Sequence, residues 1–226
     1  METIQANGLA ASPHLSLDGD QTGRLVELLE AYRQKGIKRV VALRGDLTSG
    51  VAGVGQLTHA NELVALIRDS FSEYFDISVA AYPEIHPEAE SYDRDIYWLK
   101  EKICAGANRA ITKYFYDPDA YFRFVEQTTK QGIDAPIIPG IMPLTNYHNL
   151  VRFSDRCGAE IPRWLRQQLQ QRSHDSTDLV SFGLDVVSEL CRKLLEGGAP
   201  GLHFYTMNNI AVSDALCQNL RLIEQP

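Results

Sequence analysis

Residues 77–86 read ISVAAYPEIH. Ile77 to Ala81 are small or apolar on both faces of an extended chain, and Tyr82, Pro83, Glu84 and His86 follow at once. A strand without a polar face belongs in a parallel sheet covered by helices on both sides. The abrupt change to polar residues marks where such a strand ends. The same pattern recurs on either side: VVAL at 40–43 runs into Arg44-Gly45-Asp46, and PIIPGI spans 136–141. Strands are predicted over Ala10–Leu17, Ile37–Leu43, Ile77–Tyr82, Arg109–Tyr116, Pro136–Ile141 and Gly201–Tyr205.

Helical patterns lie between these strands. Leu25, Leu28, Leu29 and Tyr32 form one stripe at i, i+3, i+4, i+7, and Leu63, Leu66, Ile67 and Phe71 form another. Further helices are predicted over Tyr92–Ala105, Asp119–Lys130, Thr145–Arg156 and Ser176–Leu195, with Gly36, Gly106 and Gly132 at C-cap positions. Repeating β–α units of about 30 residues predict an α/β fold, either a doubly wound sheet or a (β/α)8 barrel. No Gly/Ser-rich linker or low-complexity segment interrupts the pattern, so residues 1–226 are expected to form a single domain.

The composition removes several function classes. A net charge of −7 leaves no basic footprint for nucleic acid or an anionic membrane surface. No apolar run reaches the roughly 18–20 residues that span a bilayer, and no signal-peptide pattern opens the chain, so residence in the cytoplasm is expected. The four cysteines, Cys104, Cys157, Cys191 and Cys217, are scattered without a CxxC pair. They read as isolated buried thiols, and no metal site is expected.

Chemistry in either architecture gathers where strands give way to the next helices. Here those positions carry His14, then Arg44-Gly45-Asp46, then Tyr82, Glu84 and His86, then Thr112 and Lys113, and finally His203, Tyr205, Thr206 and Asn208. Each has a plain structural alternative. A strand-end histidine often caps, an Arg–Asp pair often bridges a loop, and Lys113 could be solvated. The set is stronger than its members because the same end of the sheet receives polar groups from strand after strand. No Walker A loop, GxGxxG, HExxH or GxSxG occurs. The glycine-rich Ser49–Gly55 reads as a mobile loop rather than a phosphate cradle.

The segments SPHLS, IKRVVALRGD, FDISVAAYPEIHPEA, AGANRAITKYFYD, IIPGIMPLTNY and GLHFYTMN resemble, in order and spacing, the motifs of methylenetetrahydrofolate reductases. The resemblance runs from about Gly8 to the C-terminus, and the pairing of LRGD with YPExHPEA is its most specific part. It implies a (β/α)8 barrel binding FAD, in which NADH or NADPH reduces the flavin and the flavin reduces 5,10-methylenetetrahydrofolate to 5-methyltetrahydrofolate for methionine biosynthesis. It implies flavin contacts at His14, Leu43, Arg44, Gly45 and Asp46, and cofactor contacts at Tyr82, His86, Asp95 and Lys102. Asp46 would also face the folate and act in catalysis. Lys113, Asn149, Phe153 and Asn209 fall at substrate positions, with Phe153 an aromatic against which pterin or nicotinamide stacks. A homo-oligomer and a small-molecule folate partner are also implied.

The departures from the family are specific. Lys113 and Asn149 stand where the family has glutamines, and Asn209 where it has an arginine. The family opens with an FEFFPP-like strand whose glutamate is its proposed general acid, followed by a second strand. Neither is found here, so six of eight β–α units are expected and the chain is expected to be N-terminally truncated. Glu84 is the nearest candidate acid, in the turn beside the expected cofactor diphosphate. Two further readings stand beside the reductase: a non-catalytic flavin-binding relative, and a lyase forming a Schiff base on Lys113.

Overall fold

The computed structural model describes residues 1–16, 22–44 and 59–222. Gly45 and Asp46, and the Ser49–Gly55 stretch, lie outside the described residues. After α1 (Glu2–Ala6), strands and helices alternate: β1 (His14–Leu15), α2 (Thr22–Gln34), β2 (Arg39–Ala42), α3 (Ala60–Phe71), β3 (Asp76–Ala81), α4 (Tyr92–Cys104) and β4 (Arg109–Tyr114). Then come α5 (Pro118–Lys130), β5 (Ile137–Ile141), α6 (Tyr147–Cys157), α7 (Arg163–Gln171), α8 (Ser176–Glu196), β6 (His203–Phe204) and α9 (Ile210–Asn219). The strands form one six-stranded sheet in the order β1-β2-β3-β4-β5-β6. β1 pairs in parallel with β2, β2 with β3, and β5 with β6, and Val41 stands opposite both His14 and Ser78.

This order decides between the two architectures. A doubly wound sheet reverses direction at a switch point, whereas each strand here lies beside its predecessor, as in a β/α barrel. β1 and β6 are shorter than the predicted Ala10–Leu17 and Gly201–Tyr205. Each ends the strand order and has a partner on one side, so less of its backbone is held in a ladder. Helices α1, α7 and α9 were not predicted. In α7 the apolar signal is brief, with Leu165 and Leu169 turned into the core from a glutamine-rich helix.

The described chain divides into two compact units. One comprises residues 1–80, 96–110 and 133–136; the other comprises 81–95, 111–132 and 137–226. In the first, Leu25 and Leu29 of α2, Leu63, Val64 and Ile67 of α3, and Val40, Ile77 and Val79 of the strands form the core. Arg68 organises its polar ends. The guanidinium donates to Gly106 O at 3.0 and 2.7 Å, to Phe75 O at 2.8 Å and to Asn108 Oδ1 at 2.7 Å. It thereby satisfies the part-buried carbonyls of Gly106 and Phe75 and ties them to the Asn108 side chain.

In the second unit, α5 begins cleanly because Asp117 accepts from Asp119 N and Pro118 supplies the first helical φ. Its inner face buries Ala120, Tyr121 and Phe124, with Tyr121 stacked on Phe115 at 5.8 Å. β4, β5 and the end of β6 are locked at one point. Gly140 N donates to the fully buried Thr112 Oγ1 at 2.8 Å, and Tyr205 Oη donates to Thr112 O at 2.9 Å. A Cβ on Gly140 would lie 2.0 Å from Thr112 O and 2.6 Å from the Tyr205 ring. Gly140→Ala should therefore lower unfolding stability by about 3 kcal/mol in urea titrations, an overpacking cost that rigid backbone cannot relax. A loss below about 0.5 kcal/mol, the scatter of neutral substitutions, would show that this approach does not constrain the sheet.

Candidate functional site

The turn after β3 joins Glu84 and His86 to Glu160 and Asp95 by hydrogen bonds. Pro83 is buried and fixes the exit of the strand. Ile85 then takes φ 78°, a left-handed conformation that is an outlier for a β-branched residue. Such strain persists where surrounding contacts over-determine it, commonly at functional sites. The contacts are visible here. Gly158, the left-handed C-cap of α6, comes so close that a Cβ there would lie 2.8 Å from Pro87 Cγ. Glu160 N, two residues on, donates to Glu84 Oε2 at 2.9 Å. On the other side of the turn, His86 N donates to Asp95 Oδ2 at 2.8 Å and His86 Nδ1 accepts from Glu88 N at 3.0 Å. The His86 ring meets Tyr82 edge-on at 4.5 Å.

β4 brings Lys113 to the same unit. Its Nζ is shielded from solvent and has no hydrogen-bond partner among the described residues. The ammonium lies 5.9 Å from the Tyr82 ring centroid and 6.0 Å from that of Tyr114, at the edge of cation–π range. Tyr114 Oη lies 3.1 Å from Ser154 Oγ and 3.4 Å from Cys157 Sγ on α6. Burial pushes the Glu84 carboxyl up to about 7. The Glu160 N–H and the Lys113 charge oppose that rise, while the charges of Glu160 and Asp117 add to it. Burial likewise raises the Tyr114 and Tyr116 hydroxyls, so both are neutral phenols near pH 7.

The structure thus brings together Tyr82, Glu84, His86, Asp95 and Lys113. Asn149 and Phe153 lie on α6 of the same unit: Asn149 N donates to the N-cap Asn146, and the Arg152 guanidinium stands 5.8 Å from the Phe153 ring. Asn209 acts as the N-cap of α9, its Oδ1 accepting from Val212 N at 3.3 Å. In the first unit, His14 is exposed in β1, Leu43 N donates to Leu15 O at 2.8 Å, and Arg44 follows directly. Lys102 Nζ donates to Ala80 O at 2.6 Å.

Of the four cysteines, all free, Cys191 alone is buried; Cys104 is exposed, and Cys157 and Cys217 are partly so. The expectation of four buried thiols is corrected accordingly, because Cys104 closes α4 at its solvent end and Cys157 sits at the C-terminus of α6. Among the described residues no cluster of His, Cys, Asp and Glu could hold a metal, and no helix is long and apolar enough to cross a membrane. A cavity of about 680 Å³ is lined by Tyr147, His148, Gln167, Gln170, Gln171, Ser173 and His174, none of them expected from the sequence. Sequence reasoning also missed the strain at Ile85, which no residue type announces, and the Tyr114–Ser154–Cys157 contact, which joins positions 40 or more residues apart.

A sequentially ordered sheet with polar groups after its strands defines a β/α-repeat protein of the barrel type. Its fold is similar to that of an uncharacterized Clostridium thermocellum protein that binds two copies of 5-methyl-5,6,7,8-tetrahydrofolic acid, with TM-score 0.55 over 98% of both chains at 12% identity. The family described as methylenetetrahydrofolate reductase matches residues 2–221, and the chain belongs to that family. It is 39% identical to the Escherichia coli 5,10-methylenetetrahydrofolate reductase over 213 residues, 94% of this chain and 71% of that protein. It is 36% identical to the Arabidopsis thaliana methylenetetrahydrofolate reductase (NADH) 1, over 94% of this chain and 38% of that one. Membership in a reductase family does not favour the Schiff-base reading of Lys113.

The Glu84 environment has a consequence for stability. Its folded value lies above the unfolded one, so the native state holds the proton more tightly. That contribution is fully present below about pH 4.5 and is lost as pH rises through about 7. Glu84→Gln lacks this dependence. The stability of the variant relative to wild type should rise by about 1–2 kcal/mol between pH 4.5 and 8, less than the full shift implies because solvent reaches part of the carboxyl. Urea unfolding at both pH values checks this, and a pH-independent difference would contradict the burial argument.

Proposed function

We propose that the protein is a flavin-dependent reductase that converts 5,10-methylenetetrahydrofolate to 5-methyltetrahydrofolate with NADH or NADPH. The observation that carries this reading is the 39% identity to the Escherichia coli reductase across 94% of the chain. The name of the Arabidopsis relative supports NADH as one donor. In this reading residues 1–226 act as one domain, and the sequentially ordered strands are six of the eight units of a barrel. Its setting is one-carbon metabolism in the cytoplasm, and a homo-oligomer is its expected state.

The side chains suit a flavin nucleotide chemically. His86 and Lys102 supply N–H donors suited to diphosphate oxygens, and Arg44 is assigned to the flavin. His14, Leu43, Gly45, Asp46, Tyr82 and Asp95 complete the residues assigned to the cofactor. When bound, the flavin supplies a two-electron relay between nicotinamide and folate. Asp46 holds a negative charge toward the cationic iminium form of the substrate. Phe153 offers a stacking face, while Lys113, Asn149 and Asn209 contribute polar contacts to the folate. The cap role of Asn209 leaves its amide nitrogen for such a contact.

The test is direct. The protein should purify yellow or take up added FAD, and should form 5-methyltetrahydrofolate with NADH or NADPH. Asp46→Asn should keep the flavin and slow folate reduction about 10- to 100-fold, the loss of one charge-assisted contact worth roughly 1.5–3 kcal/mol. A colourless protein that ignores FAD would overturn the assignment.

A further inference from the structure

We propose that the cavity between the start of α6 and the end of α7 binds the glutamate tail of the folate, through the carboxylates and γ-amide links of that tail. The proposal rests on the reductase reading above and assigns a part of the substrate that the reading leaves unplaced.

The cavity lies within the second unit, and its volume of about 680 Å³ falls inside the roughly 300–1,000 Å³ of small-molecule sites. Tyr147 and His148, in the first turn of α6, form one wall, with their ring centroids 5.4 Å apart. Gln167, Gln170 and Gln171 near the end of α7, with His174 after it, form the other. Every lining side chain carries a hydrogen-bonding group and none is acidic, in a chain whose net charge is −7. The acids that follow His174 are engaged elsewhere. Asp175 caps α8, its Oδ1 accepting from Thr177 N at 2.9 Å and from Asp178 N at 3.1 Å, and Asp178 pairs with Arg172 at 3.3 Å.

The lining selects among ligand classes. A diphosphate calls for arginine or lysine, and neither lines the cavity. Two histidines without a third ligand do not make a metal site, and among the described residues no cluster could hold one. A carboxylate, by contrast, accepts N–H bonds from glutamine amides and imidazoles. A γ-glutamyl amide both donates and accepts, as a glutamine side chain does. The two aromatic rings and the methylene stems of the glutamines add apolar surface for the part of the tail between its polar groups. The three glutamines are exposed, so a tail of several glutamates can run on into solvent.

Position along α6 points the same way. Folates join pterin to glutamate through an aminobenzoyl spacer. Phe153, the stacking face for the pterin in the reading above, lies five residues beyond His148, about 7.5 Å along a helix that rises 1.5 Å per residue. Asn149 shares the Phe153 face, one turn nearer the cavity. Going from Phe153 to the first turn of α6 therefore follows the order of pterin, spacer and glutamate. The positive end of the α6 dipole lies at that first turn and favours an anion there.

The experiment uses the full chain with FAD added. Titration calorimetry compares 5-methyltetrahydropteroate, which has no glutamate, with 5-methyltetrahydrofolate carrying one or four glutamates. Wild type should bind the tetraglutamate about 10-fold or more tightly than the pteroate, the worth of one charge-assisted contact. The double variant Gln170→Glu, Gln171→Glu and the single variant His148→Asp each put a carboxylate into one wall. Each should weaken tetraglutamate binding by about 5- to 10-fold, the range for such a contact open to solvent, and pteroate binding by less than about twofold. NMR of the imidazole nitrogens supplies a readout without the pterin: tetra-γ-glutamate alone should shift the His148 and His174 signals, with His174→Gln confirming the assignment. Equal wild-type affinity for all three ligands, or a tail advantage that survives in both variants, would overturn this proposal alone. Wild type that binds flavin but none of the three ligands would overturn the reductase reading and this proposal with it. Should both variants fail to fold, imidazole signals of wild type that ignore the peptide still overturn the proposal.

Discussion

Thr112 sits at the centre of the second unit, and its contacts constrain everything around it. Its side-chain oxygen takes the Gly140 N–H and its carbonyl takes the Tyr205 hydroxyl, so β4, β5 and the residue after β6 meet at one fully buried position. That meeting is possible only because residue 140 has no Cβ. A ladder of amides alone would leave strand positions free to shift by small amounts. A side-chain hydroxyl inserted into the ladder does not, because a buried donor left unmade costs about as much as several ordinary contacts. The next residue along β4 is Lys113, so the lock that fixes the sheet also fixes the cation.

The energetics of the neighbouring turn run against stability. A shielded ammonium without a hydrogen-bond partner among the described residues, a carboxyl burdened by burial and a β-branched residue at positive φ each raise the energy of the folded state. Glu84 and Ile85 are adjacent in one turn, which the α6 C-cap and the segment after it hold through Gly158 and the Glu160 N–H, while Lys113 comes from β4. Elsewhere the polar groups are economical. Arg68 satisfies four acceptor contacts in the first unit, and Asp117, Asn146, Asp175 and Asn209 cap the helices they precede. The contrast separates residues that serve the fold from residues whose cost suggests another purpose.

The departures from the family pattern acquire physical meaning in this setting. Where the resemblance implies a glutamine, Lys113 brings a charge near the Tyr82 and Tyr114 rings and the Glu84 carboxyl, rather than a neutral amide that can both donate and accept. Asn209, where the resemblance implies an arginine, caps α9 with its side-chain oxygen. A short side chain thus takes up a local backbone duty that a long cation would leave to water.

The residues alone determined the alternation of strands and helices. Apolar strands without a polar face require cover on both sides, and helical stripes with terminal glycines supply it. The polar groups at the strand ends were legible for the same reason, since in parallel sheets they follow the last apolar residue. Even the family was legible, because LRGD and YPExHPEA are contiguous words. The choice of a sequential over a doubly wound sheet was not, since period-2 and period-3.6 patterns carry no strand order. Nor was the Asn209 cap, the burial of the Lys113 ammonium or the elevated Glu84 carboxyl. Those depend on which distant backbone atoms arrive beside a side chain, and Glu84 meets Glu160 across 76 residues of intervening chain. Tertiary structure decided them, because desolvation and charge are set by everything within a few ångströms, whatever its place in the sequence.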